Sequence, residues 1–149
     1  MVFDAFIEDS DYNFSCGYGG VAFFIYQIFR GWNLELGALY EKINGWLWRS
    51  KKPTYSYDLD LCNSIQQKIK IILNEYDKPY NEGMKIFLNF EGEITPKKCV
   101  LLLKAFGRVN PERFEYTDKD AYEWFIKSFY FWQKMVAFAI ENNKSINCG

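Results

Sequence analysis

Between residues 122 and 139 the apolar positions recur at alternating steps of three and four. Tyr122, Phe125, Phe129, Trp132, Val136 and Ala139 fall on one side of a helix turning 100° per residue, and Trp124, Phe131, Met135 and Phe138 form a second stripe. The charged Glu123, Lys127, Lys134 and Glu141 share one narrow wedge between the stripes. A surface helix hides one face, so this pattern predicts a helix over 117–141 covered nearly all round, with Thr117 as its N-cap. It would span roughly 36 Å, about the width of a small domain, and the rest of the chain is expected to pack around it. Lys127 and Lys134 stand too centrally for a membrane span, which needs ~20 apolar residues. Aromatic stripes at this spacing usually pack internally; the alternative is that the second stripe stays partly open and docks a partner.

The remaining pattern predicts a small sheet and four more helices. Val2 to Ile7 reads as a strand, followed by an acidic turn at Glu8, Asp9, Ser10 and Asp11, and Phe14-Ser15-Cys16 as a second short strand. After a flexible Gly17-Tyr18-Gly19-Gly20 turn, a helix begins at Val21 and is closed by Gly31; a shorter one carries Leu36, Leu39, Tyr40 and Ile43 and ends near Gly45. Asp58 caps a helix built on Cys62, Ile65, Ile69, Ile72 and Tyr76, with Lys68 and Lys70 outward. Lys85 to Phe90 reads as a short strand or extended stretch after a turn at 81–83. Thr95 caps and Pro96 opens a helix that buries Cys99, Leu102, Leu103 and Phe106 and ends at Gly107. Residues 145–148 suit an edge strand beside Val2 to Ile7. The fold class is therefore α+β: a single, mainly helical domain of about five helices around a central C-terminal helix, with a small sheet.

Composition narrows the chemistry. The chain has 149 residues and no histidine, which removes the usual general base near neutral pH, the Ser-His and Cys-His nucleophile pairs and the commonest metal ligand. Carboxylate chemistry remains open. Aromatic residues make up 20%, enough to leave rings over for an interface. Net charge is −1, yet residues 1–48 carry two basic side chains (Arg30, Lys42) against six acidic, and residues 49–108 carry eleven against seven. That split permits local steering of a partner but not the overall positive charge of a nucleic-acid binder. Cys16, Cys62, Cys99 and Cys148 lie far apart. With no secretory pattern preceding them they read as reduced thiols of a cytoplasmic protein rather than as disulfides or a zinc site.

Two motifs are partial. Gly17-x-Gly19-x-x-Ala22 has the spacing of a dinucleotide fingerprint, but the run before it is polar and another helix follows, so the βαβ setting is missing. Glu91-Gly92-Glu93-Ile94 has the form of the back half of a calcium loop, yet Phe87 and Lys98 then occupy the first and twelfth ligand positions. Neither implies a cofactor. The segment 46–57 is more suggestive. Trp46, Trp48, Arg49, Tyr55 and Tyr57 form an aromatic and basic set in a connection read as irregular, with the residue types of an interface hot spot. The competing reading is a lid folded back over the core. Stacking of single-stranded bases is a third, disfavoured by the charge balance.

Phe14-Ser15-Cys16-Gly17-Tyr18 before a Phe-rich helix, and Phe87-Leu88-Asn89 leading to Gly92-Glu93-Ile94-Thr95-Pro96 and Cys99, resemble a loose group of small bacterial proteins of unassigned function. In that group the second segment is more acidic, like a degraded calcium loop. Phe90 and Glu91 depart from it, and the resemblance implies no activity. These readings together point to a non-catalytic, cytoplasmic bacterial or phage protein that binds another protein, of the toxin-neutralising immunity type. Trp46, Trp48, Arg49, Tyr55 and Tyr57 are its candidate anchors, and Glu8, Asp9 and Asp11 a steering patch. Two alternatives stand beside it. One is a small-ligand protein or carboxylate-using enzyme with a deep acidic pocket; the other is a phage inhibitor of a nucleic-acid-processing defence enzyme, docking through the basic 49–52 segment.

Overall fold

The computed structural model describes residues 2–49 and 59–149. Strand β1 (Val2–Phe6) and strand β2 (Asn13–Gly17) form an antiparallel hairpin in the register Phe3↔Cys16 and Ala5↔Phe14. Phe3, Ala5 and Phe14 point into the core, whereas Val2, Asp4 and Phe6 face outward, the period-two alternation of a half-buried strand. Strand β4 (Ile146–Cys148) pairs with β1 as the sequence suggests, but it is not an edge. Strand β3 (Gly92–Ile94) closes on its other side, giving the order β2-β1-β4-β3. Gly92, at φ 79°, supplies the left-handed turn into β3.

β2 passes directly into helix α1 (Tyr18–Trp32), with extended Gly17 as the N-cap. Gly19 and Gly20 are thus part of the first helical turn and not a flexible link. The next element is helix α2 (Leu34–Asn44) in place of a parallel strand. Gly31 does not end α1 either. It is buried inside the helix, where an added Cβ would lie 2.6 Å from Val109 Cγ1. Asn33 makes the break, and its Oδ1 accepts a bond from Glu35 N to start α2.

Helix α4 (Leu59–Asn74) buries Ile65, Ile69, Ile72 and Leu73 and turns Lys68 and Lys70 outward; its expected cap Asp58 lies outside the described residues. The stretch expected to be extended is helical: α5 (Tyr80–Lys85) runs into a 3-10 turn at Ile86–Asn89. Gly83 allows this, because any side chain there would overlap the Leu101 carbonyl of helix α6 (Pro96–Gly107). Thr95 caps α6 and Pro96 opens it; Cys99, Leu102 and Phe106 are buried, but Leu103 faces the surface, 37% exposed.

Helix α7 (Lys119–Glu141) starts one residue later than the pattern suggests. Asp118 is the N-cap, accepting from Ala121 N at 3.1 Å. Phe125, Phe129, Trp132, Val136 and Ala139 are buried, Tyr122 is half-buried, and Glu123, Lys127, Lys134 and Glu141 face solvent. The second stripe is less fully covered: Met135 is buried, while Trp124, Phe131 and Phe138 stay half-exposed against Tyr12 and Phe14. α7 shares the centre with α1, in which every residue from Ala22 to Phe29 is buried. Among the described residues, five long helices and two short ones (α5, and α3 described below) thus surround a single continuous core beside the four-stranded antiparallel sheet. Among the described residues no helix is long and apolar enough to cross a membrane.

Trp132 is fully buried and touches the rings of Phe14, Phe24 and Phe90, with centroids 5.0–6.1 Å away. Trp132→Ala is therefore expected to lower unfolding free energy by about 3–5 kcal/mol in urea titrations. Tyr130→Ala, on the exposed side of the same helix, is expected to change it by less than ~0.5 kcal/mol.

Candidate functional site

Residues 46–49 form a helical turn, α3 (Trp46–Arg49), and not an irregular connection. Gly45 retains helical φ and ψ, so α2 continues almost unbroken into α3, with Trp48 N and Arg49 N both bonding to Gly45 O. The turn lies against the start of α1, where Gly19 permits close approach: a Cβ there would be 2.6 Å from Leu47 O. The two tryptophans of α3 consequently diverge. Trp48 packs inward, stacked on Tyr40 and edge-on to Phe23, while Trp46 is 42% exposed.

Arg49 turns inward as well. Its guanidinium bonds to Glu41 and, at 2.7 Å, to Glu115 Oε1, and it stands 5.6 Å from the ring centroids of both Tyr26 and Trp48. Tyr26 OH donates to Glu115 Oε1 at 3.1 Å. Gln27 ties down the Glu115 backbone twice, donating from Nε2 to Glu115 O and accepting from Glu115 N. One arginine thereby joins α2, α3 and the segment leading into α7. Burial pushes the Glu115 carboxyl up, but bonds and charge from Arg49, with the Tyr26 and Thr117 hydroxyls, outweigh it and hold the carboxyl below its ordinary value. Hydrogen bonding to Glu115 raises Arg49 further above its normal range. Burial, followed by the Glu115 charge, pushes Tyr26 up to about 12. Arg49, Glu115 and Tyr26 therefore keep their ordinary charge at neutral pH, as suits a structural clasp.

Beside the clasp is a cavity of about 430 Å³, walled by Phe23, Trp48 and Trp124, with Arg49, Glu115 and Asp118 at its polar side. The acidic turn lies elsewhere. Glu8, Asp9 and Asp11 are exposed at the far end of the β1–β2 hairpin, a strand length of roughly 16 Å from the Gly17 end where α3 packs. Glu8 and Asp9 share a second cleft of about 360 Å³ with Glu93, Lys144, Ser145 and Asn147. The structure thus separates the residues nominated from sequence. Trp46 is exposed at the surface, Trp48 and Arg49 of the same turn face inward, the three acids form their own patch, and Tyr55 and Tyr57 lie outside the described residues. Glu115 and Glu93 carried no signal in the sequence because their partners, Arg49 and Ser145, are distant in the chain, whereas Glu41 meets Arg49 only eight residues on. Gln27 was the available signal, a polar residue within the apolar run 21–29.

Burial pushes the thiols of Cys99 and Cys148 up to about 12; for Cys16, burial followed by the Asp4 charge raises it to about 11. All three are poor nucleophiles at neutral pH. Among the described residues no group of three His, Cys, Asp or Glu side chains is placed to hold a metal ion. No protein-family model, curated protein or solved structure matches the chain.

The clasp sets a pH dependence. Glu115 is ionised below its ordinary pKa in the folded state, so its contribution is present above an ordinary glutamate pKa near 4.5 and is lost as pH falls through the lower folded value. Arg49→Met leaves that part-buried carboxylate without its cation. Its cost is expected to be about 2 kcal/mol at pH 7 and to shrink below pH 4.5. Paired urea titrations across this range measure it.

Proposed function

We propose that the chain is a non-catalytic, cytoplasmic protein-binding module of the immunity type, neutralising a partner protein by docking through the α3 face. The observation that carries this reading is the exposed Trp46 on a turn fixed from beneath by Trp48 and the Arg49 clasp. An aromatic anchor carried on a turn already ordered in the free protein loses less conformational entropy on binding than one on an irregular loop, which is how a small set of rings comes to dominate an interface. The acidic turn at Glu8, Asp9 and Asp11 lies away from the anchor and suits electrostatic steering of a basic partner.

A second reading, small-ligand binding, draws on the 430 Å³ cavity, which lies within the size range of ligand pockets. The two make different demands. Docking depends on Trp46, which does not line the cavity; ligand binding depends on Trp124 and Phe23, which do.

Affinity purification from the source cell, with growth as the second readout, tests the proposal. The wild-type chain is expected to retain one stoichiometric partner whose expression alone arrests growth and whose effect co-expression relieves. Trp46→Ala, with unchanged thermal stability, is expected to weaken the complex at least 30-fold, equivalent to about 2 kcal/mol. No retained partner, or equal retention by Trp46→Ala, overturns the reading.

A further inference from the structure

The backbone of the sheet leaves one edge ready to pair. Asp4 exchanges both backbone bonds with Gly149, the residue following β4, so alternate residues of β1 turn the other way, and Ile7 N bonds to Tyr12 O. Phe3 and Ala5 therefore spend their backbone groups on Cys16 and Phe14 of β2. By the same alternation the N–H and C=O of Asn13 and Ser15, and the N–H of Gly17, point away from the sheet. Among the described residues no strand pairs with that side of β2.

Asn13, Ser15 and Gly17 are all exposed, and the edge sequence Asn-Phe-Ser-Cys-Gly contains no lysine, no proline and no charge. Those are the usual guards of a free edge. Alongside it lie the half-exposed Trp124, Phe131 and Phe138 of α7, at seven-residue spacing, and Trp124 also walls the 430 Å³ cavity at the Gly17 end. On the solvent side this strip is bordered by Lys127 and Lys134, neither of which forms an ion pair with a described residue.

We infer that the β2 edge and the α7 strip form a strand-addition site for an extended segment of a partner protein. The segment's backbone pairs with Asn13, Ser15 and Gly17. Its helix-facing side chains are apolar over the aromatic strip, and a carboxylate among them meets Lys127 and Lys134. At the Asn13 end a basic residue meets the exposed Glu8, Asp9 and Asp11, and at the Gly17 end an apolar side chain enters the cavity. This charge pattern, acidic over the helix and basic at the turn, favours a foreign segment over a second copy, whose own β2 has no charge to offer. The inference rests on the protein-binding reading above and names how the partner is held.

The probe is a displayed library of random heptapeptides selected on the purified full chain. Selected peptides are expected to alternate apolar and polar positions and to carry the opposed charges. They should slow exchange of the Ser15 amide at least 10-fold and lose at least 10-fold in affinity for Ser15→Pro, which removes an outward N–H without touching the β1 ladder. Should Ser15→Pro fail to fold, amide exchange in the wild type and affinity for Ser15→Lys decide instead. No enriched peptide, unchanged Ser15 exchange on binding, or a homodimer that Ser15→Pro dissociates overturns the inference. A cellular partner that requires Trp46 but binds Ser15→Pro normally would remove the strand site and leave the docking function standing. Loss of any cellular partner alongside Ser15-dependent peptide binding would do the reverse.

Discussion

Phe125 stands where α1 and α7 meet, with Phe24 at 5.6 Å, Phe23 at 6.5 Å and Phe114 at 4.7 Å between ring centroids. Ridges of aromatic side chains at this contact leave few ways for the two helices to settle. The hairpin docks on one side through Phe14 against Phe24 and Trp132, and α6 on another through Phe106 against Phe129. The remaining elements take their places from this contact.

The same contact accounts for where polar chemistry is allowed. Gln27 belongs to the α1 turn just past Phe23 and Phe24 and has no exposure at all, so it must find partners within the protein, and the Glu115 backbone supplies both. Once Glu115 is fixed, its carboxylate is presented to Arg49, and α3 is secured against α1. A single buried amide thus sets the position of a surface tryptophan more than ten residues beyond it. The charged pair contributes less as a source of stability than as a device that selects one placement of the turn.

How far the sequence exposed this design depended on whether the information was local. The stripe Phe125–Phe129–Trp132–Val136 announced α7, and the Thr95-Pro96 pair announced the start of α6, because helical period and cap chemistry are written in consecutive residues. The glycines at 17, 19 and 20 misled, since the same residue that frees a turn also permits a close helix contact, and only the Leu47 carbonyl opposite Gly19 decides between them. The stretch 80–89 misled for a similar reason: its short apolar run suits a strand until Gly83 is seated against α6. Trp46 and Trp48 were nominated together, yet a two-residue step on a helical turn sends them in different directions. Glu115 and Glu93 had no local signal, because each acquires its role from a partner far away in the chain.

The α3 turn is tied to α2 and to the segment before α7 by the Arg49 clasp and is expected to be rigid in the free protein. NMR relaxation on the isolated chain measures this directly. Backbone order parameters near 0.85 are expected across Trp46–Arg49, matching α1. Values below about 0.6 for that turn, against a rigid α1, would contradict it.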